Sequence, residues 1–248
     1  MVLHLADDCR RCCPGDRGPG VIPWCLLDTA PVPGGEGSLR LMRRGREFSI
    51  RLDRSELMNS RLSGSEEALA ASACDRIKSR QAPRLLIGGL GMGFTLRAAL
   101  AALGPDASVT VAELVPAVIM WARGPMSEIF GDSLADPRVR IREADVGELI
   151  RSAPSHFDAI LLDVDNGPDG LTRQANDALY GLAGLRAAHR ALRPAGVLAI
   201  WSAKPDQDFT ARLGKASFDV DVLKVPARGA RGGGKHVIWM ATREDRAK

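Results

Sequence analysis

The chain has 248 residues, 45% apolar and 26% charged, with a formal net charge of +4 and a pI near 9.0. That length suits one sizeable α/β domain with at most a small appendage. No uninterrupted apolar run approaches the roughly 20 residues of a helical membrane span, and acids interleave with the bases, so neither a membrane protein nor a dedicated nucleic-acid binder is expected.

Residues 1–37 open with "MVLHLADDCRRCCPGD", which lacks the basic region, long apolar core and cleavage site of a secretory signal. The expectation is a poorly ordered leader on a cytoplasmic protein. Cys9, Cys12 and Cys13 cluster there, while Cys25 and Cys74 are isolated and the four histidines supply no second ligand pair at matching spacing. No metal site is expected. Next, "SLRLMRRGREFSIRLD" (38–53) reads as a β-hairpin turning at Gly45, within a small N-terminal element spanning 38–63. Met58, Asn59, Ser60 and Arg61 read as a solvated loop, with a lid as the alternative. From residue 64 the spacing becomes helical in "GSEEALAASACDRI", with Ser65 as a candidate N-cap.

The remainder, 64–248, alternates strand and helix. "RLLIGG", "SVTVAEL", "VRIREAD", "FDAILLDVD" and "GVLAIWSA" are strand-like, each followed by a helical pattern, and "VDVLKVP" and "HVIWMAT" form a terminal pair joined through "RGARGGGKH". Strands that alternate with helices need crossover connections, which predicts a doubly wound, mainly parallel sheet of the Rossmann-like α/β class.

Four of those strands end on chemistry. The first runs into Gly88, Gly89, Gly91 and Gly93, where the chain can turn tightly and admit a ligand to the backbone and to a helix N-terminus. The second ends at Glu113, about 20 residues further on, where nucleotide-binding sheets place an acid against ribose hydroxyls. The third ends at Asp145 and the fourth at Asp163 and Asp165. Ligands of open parallel sheets bind beyond the carboxyl ends of the strands, so these residues point to a nucleoside site. Each also has a structural alternative: helix caps at Glu113 and Asp145, and turn chemistry in "DNGPDG" at Asp165.

Taken together, "LLIGGLGMG", "VAELVPAV", "DPRVRIREADVGELI", "FDAILLDVDNGPDGLT" and "ALRPAGVLAI" make residues 38–240 resemble the spermidine synthase family, which shares the class I S-adenosylmethionine (SAM) methyltransferase fold. The resemblance implies that the glycine loop faces the methionine-derived tail and sugar, that Glu113 holds the ribose, and that Asp145 meets the adenine amino group. Asp163 would occupy the catalytic edge with Asp165. It also implies a homodimer, with the hairpin over the acceptor pocket.

The departures are local. Gly91 stands where the family's "GGGDGG" carries an acid, and Asp163, Val164, Asp165 and Asn166 replace "DSSD". The Tyr-His-Glu segment of the polyamine pocket corresponds to "SGSEEALA", which keeps only Glu66. A loop without the acid suits SAM better than decarboxylated SAM. The expectation is therefore a metal-independent alkyl transferase acting on a small amine or hydroxyl acceptor, with methyl transfer from SAM ahead of aminopropyl transfer from decarboxylated SAM. Two alternatives stand behind it: a catalytically silent nucleoside-binding scaffold and, more weakly, a dinucleotide-dependent oxidoreductase.

Overall fold

The computed structural model describes residues 22–34, 37–53, 55–164, 178–226 and 234–244. The chain divides into two compact units, residues 1–61 and 62–248.

The first unit is an antiparallel sheet of four strands among the described residues, in the order β1-β2-β3-β4: β1 (Cys25–Pro31), β2 (Ser38–Arg44), β3 (Glu47–Leu52) and β4 (Ser55–Asn59). The expected hairpin is β2–β3, in register from Leu39 opposite Leu52 to Arg44 opposite Glu47. Gly45 takes φ 59° in its turn. Leu39, Leu41, Phe48 and Ile50 are buried by simple alternation.

Two strands extend beyond the sequence reading. β1 forms inside the stretch expected to be leader, where a register shift between Leu26 and Asp28 breaks the alternation that would have revealed it. β4 takes in Met58 and Asn59, expected in a loop. Glu56 holds that corner, accepting from Ser49 Oγ at 2.7 Å, Asn59 Nδ2 at 2.9 Å and Arg61 Nη2 at 3.0 Å.

The second unit begins with α1 (Gly64–Arg76) and continues β5 (Arg84–Gly88), α2 (Phe94–Ala102), β6 (Ser108–Glu113), α3 (Pro116–Arg123), α4 (Ser127–Phe130), β7 (Val139–Glu143), α5 (Val146–Ser152), β8 (Phe157–Leu162), α6 (Leu182–Ala191), β9 (Leu192–Ser202), α7 (Gln207–Lys215), β10 (Phe218–Pro226) and β11 (Lys235–Arg243). Its sheet has seven strands among the described residues, ordered β10-β11-β9-β8-β5-β6-β7. β9, β8, β5, β6 and β7 pair in parallel, and the terminal β10–β11 pair adds antiparallel to β9. The expected α/β class and doubly wound, mainly parallel sheet are what the chain forms. Every residue of β8 is buried, as a central strand covered on both faces requires.

One expectation at the start of this unit is corrected. Ser63, not Ser65, occupies the N-cap position of α1, and Ser65 is the second residue of the helix with its hydroxyl directed elsewhere. The acids Glu66 and Glu67 do lie in the first turn, where the helix dipole favours negative charge.

Candidate functional site

The strand order sets β8, β5, β6 and β7 side by side, so the four expected strand ends are neighbours. Backbone bonds continue past the last ladder pairs: Gly89 N donates to Ala112 O at 2.9 Å, Asp163 N to Gly88 O at 3.1 Å, and Ala144 N to Glu113 O at 3.1 Å. The chain order departs from the spatial order at β5, with β6 on one side and β8 on the other. That is the switch point at which open α/β sheets bind ligands.

Packing explains three of the loop glycines. A Cβ on Gly89 would stand 2.5 Å from Asp163 O, and one on Gly93 would stand 2.3 Å from the Phe130 ring. One on Gly88 would press Val146 and Leu162 at 3.0 and 3.1 Å. Gly89, Gly91 and Gly93 all have positive φ, at 89°, 50° and 76°. The loop is therefore a close-packed crossing of β8, with Gly91 at its tip in a left-handed conformation.

Glu113 is buried, and its carboxylate serves this loop: Oε2 accepts from Leu90 N and Oε1 from Val115 N, each at 2.9 Å. Burial raises its pKa, and these backbone amides oppose that rise. The Leu114 and Gly91 amides act on the same carboxylate. Asp145 caps α5, with Oδ1 accepting from Gly147 N at 2.6 Å and Glu148 N at 3.2 Å. Asp165 lies outside the described residues.

Asp163 sits at the end of β8 with Oδ2 accepting from the buried Thr95 hydroxyl at 2.7 Å. Thr95 is the second residue of α2, which places it directly behind the glycine loop. Burial raises the Asp163 pKa against that hydrogen bond. The charge of Asp163 reaches a second carboxyl, Glu66 in the first turn of α1. Burial first, and then the charge of Asp163, push Glu66 up to about 7, while the Ser65 hydroxyl bond works in the other direction. Like charges in a partly desolvated site cannot both ionise cheaply, so each carboxyl makes the other harder to ionise.

Ser65 is buried and donates to Glu66 Oε2 at 2.7 Å. Its oxygen also lies 3.0 Å from His236 Nδ1 on β11. The His236 ring stands edge-on to Trp201, at 4.9 Å between centroids, and burial lowers its pKa. Sequence reading singled out neither Thr95, Ser65 nor His236 for this site. Only Glu66 had a signal, as the one acid retained in "SGSEEALA".

A groove of about 820 Å³, lined by Arg97, Phe130, Asp132, Asp136 and Arg138 among others, holds none of these carboxyls. At the amino end of the sheet the fully buried Asp158 is structural, since its Oδ2 accepts from Arg84 N at 2.9 Å and Arg193 Nη1 at 3.0 Å.

No family model matches the chain. A polyamine aminopropyltransferase of Mycobacterium tuberculosis is 34% identical over 131 residues, which is 51% of this chain and 24% of that protein. Among solved structures, a spermidine synthase in complex with the transition state analogue AdoDATO superimposes with a TM-score of 0.71 at 20% identity, covering 88% of this chain and 73% of that one. The chain resembles the polyamine aminopropyltransferases. It spans about a quarter of the length of the curated relatives it matches. A Burkholderia thailandensis 1,6-didemethyltoxoflavin-N1-methyltransferase with bound S-adenosylhomocysteine also shares the fold, with a TM-score of 0.52 at 23% identity, covering 74% of this chain and 80% of that one. The resemblance and the fold read from the sequence agree with these comparisons.

Proposed function

We propose that this chain is an alkyl transferase of the spermidine-synthase type, which moves an aminopropyl group from decarboxylated SAM to a small amine. The observation that carries the reading is the Glu66–Asp163 carboxyl pair beside the glycine loop. Two partly buried acids that hinder each other's ionisation suit a cationic acceptor, because an arriving ammonium offsets the repulsion between them. The sequence alone ranked methyl transfer first, on the strength of Gly91. The relatives support the aminopropyl reading better, and the carboxyl pair, whose electrostatic coupling the sequence did not show, points the same way.

The chemistry follows from the ligand class. A sulfonium carries its own leaving group, so the protein's part is alignment and proton handling. Glu113 and the loop amides at 89–93 would bind the nucleoside end, and Asp145 would border the adenine. The Glu66–Asp163 pair would orient the acceptor nitrogen and take its proton. That nitrogen then forms its bond to the propyl carbon as the carbon–sulfur bond breaks, the bonding electrons leaving with the thioether.

Methyl transfer from SAM is the second reading, and one feature favours it: position 91 offers no carboxylate to the amine of the donor tail. The deciding experiment incubates the protein with decarboxylated SAM or SAM and a panel of diamines and polyamines, and identifies products by mass spectrometry. An aminopropylated amine with methylthioadenosine supports the first reading. A methylated product with S-adenosylhomocysteine replaces it with the second. No product from either donor, with the nucleoside still bound, leaves the silent scaffold.

A further inference from the structure

The carboxyl pair does not stand alone. Glu66 Oε2, Ser65 Oγ and His236 Nδ1 form an unbroken line of hydrogen bonds, 2.7 Å and then 3.0 Å, leading from the pair to β11. Ser65 is 1% exposed, so the hydroxyl at the centre of that line is screened from water. It has a single proton to donate. If it donates to an ionised Glu66, it must accept from a protonated Nδ1. If it donates to a bare Nδ1, it accepts from a protonated Glu66. The two ends are therefore locked in opposite states.

We infer that Ser65 and His236 extend the Glu66–Asp163 pair into a proton path, along which a proton held by Glu66 leaves the site. The step balances. The Glu66 O–H bond breaks as its proton passes to Ser65 Oγ, while the Ser65 proton passes to His236 Nδ1. The carboxylate is left ready for the next proton, and the imidazole releases a proton to solvent from Nε2. Ser65 and His236 are relay residues here, since neither is placed against substrate. Among the described residues, these groups adjoin the path. Asp163 at the end of β8 acts on Glu66 through its charge and is bonded by Thr95, Glu67 adjoins Glu66 on α1, and Trp201 on β9 stands against the His236 ring. Burial pushes Glu66 up to about 7 and His236 below its usual value, so an imidazole that receives the proton gives it up readily from Nε2.

The inference rests on the transferase reading only for where the proton comes from, and the test separates the two. Histidine labelled with ¹⁵N gives few signals in a chain with four histidines, and His236→Gln assigns the one required. Across the titration of the carboxyl pair, His236 should change from the Nε2–H tautomer at lower pH to Nδ1–H at higher pH. In Ser65→Ala the change should vanish. A His236 tautomer that stays constant through the pair's titration overturns the path, as does a switch that persists in Ser65→Ala.

In the transfer assay, Ser65→Ala should lower kcat about tenfold, 1.4 kcal/mol, with KM little changed, and Ser65→Thr should recover it. An unchanged kcat in Ser65→Ala also overturns the path. A tautomer switch in a wild-type protein that transfers nothing supports the path and refutes the transferase reading alone.

Discussion

The two halves of the candidate site are built differently. On the β5–β6–β7 side, the acids bond to nearby backbone: Asp145 reaches two and three residues along the chain, and Glu113 two and 23. On the β8 side the links are remote. Thr95 meets Asp163 across 68 residues, and His236 meets Ser65 across 171. The first half is a rigid cradle whose carboxylates already spend much of their bonding capacity on amides. The second holds carboxyls raised out of their ordinary range and coupled to one another. A cradle positions, whereas a pair of strained acids can move a proton.

The comparison breaks most readily at the crossing of the two halves. Gly89→Ala places a Cβ 2.5 Å from Asp163 O at a φ of 89°. It should cost about 4 kcal/mol in urea unfolding, the sum of left-handed strain and overpacking. A loss below about 1 kcal/mol would mean that the loop and the end of β8 are not packed as described.

Glu113→Ala comes next. It leaves the buried amide of Leu90 and the half-buried amide of Val115 without their acceptor, so stability should fall by about 2–3 kcal/mol and methylthioadenosine binding should weaken with it. Weakened binding with stability intact, measured by calorimetry beside the unfolding curve, would show Glu113 to be a ligand contact with no part in holding the loop.

The carboxyl pair predicts a pH dependence of definite sign. Both acids titrate higher in the folded protein than in the unfolded chain, so the folded state binds more protons over that range. The contribution of Glu66 to stability is complete below about 4.5 and is lost as pH rises through about 7, and that of Asp163 is lost in the same direction. Glu66→Gln should flatten that decline in thermal melts between pH 5 and 8, and Asp163→Asn should return Glu66 toward an ordinary carboxyl value by NMR titration. A Glu66 unmoved by Asp163→Asn would show the pair to be uncoupled.

The smallest effect is expected at Gly91. Its φ of 50° strains most side chains, although Asp tolerates this region better than most. Gly91→Asp should therefore fold and shift donor preference about tenfold toward decarboxylated SAM, 1.4 kcal/mol. An unchanged ratio of the two donors' affinities would remove the loop tip from the donor pocket.

What could be read directly from the residues follows from range. Alternation in "SLRLM", the aliphatic runs "RLLIG" and "FDAILL", and glycines between strand and helix are local patterns, and they specify the hairpin, the parallel sheet and the crowded edge where Gly88, Glu113, Asp145 and Asp163 gather. β1 escaped because the irregularity at Asp28 breaks its period. Ser65 was read as a cap because a serine before two glutamates has that local meaning, which Ser63 takes instead. Tertiary structure alone decided that Glu66 feels the charge of Asp163, that Thr95 bonds to Asp163, and that His236 closes on Ser65 from the far end of the chain. Titration states depend on burial and on charges brought together by folding. No spacing along the chain encodes these, and so the sequence determined where the four strand ends gather while the packed structure determined which acids there are electrostatically coupled.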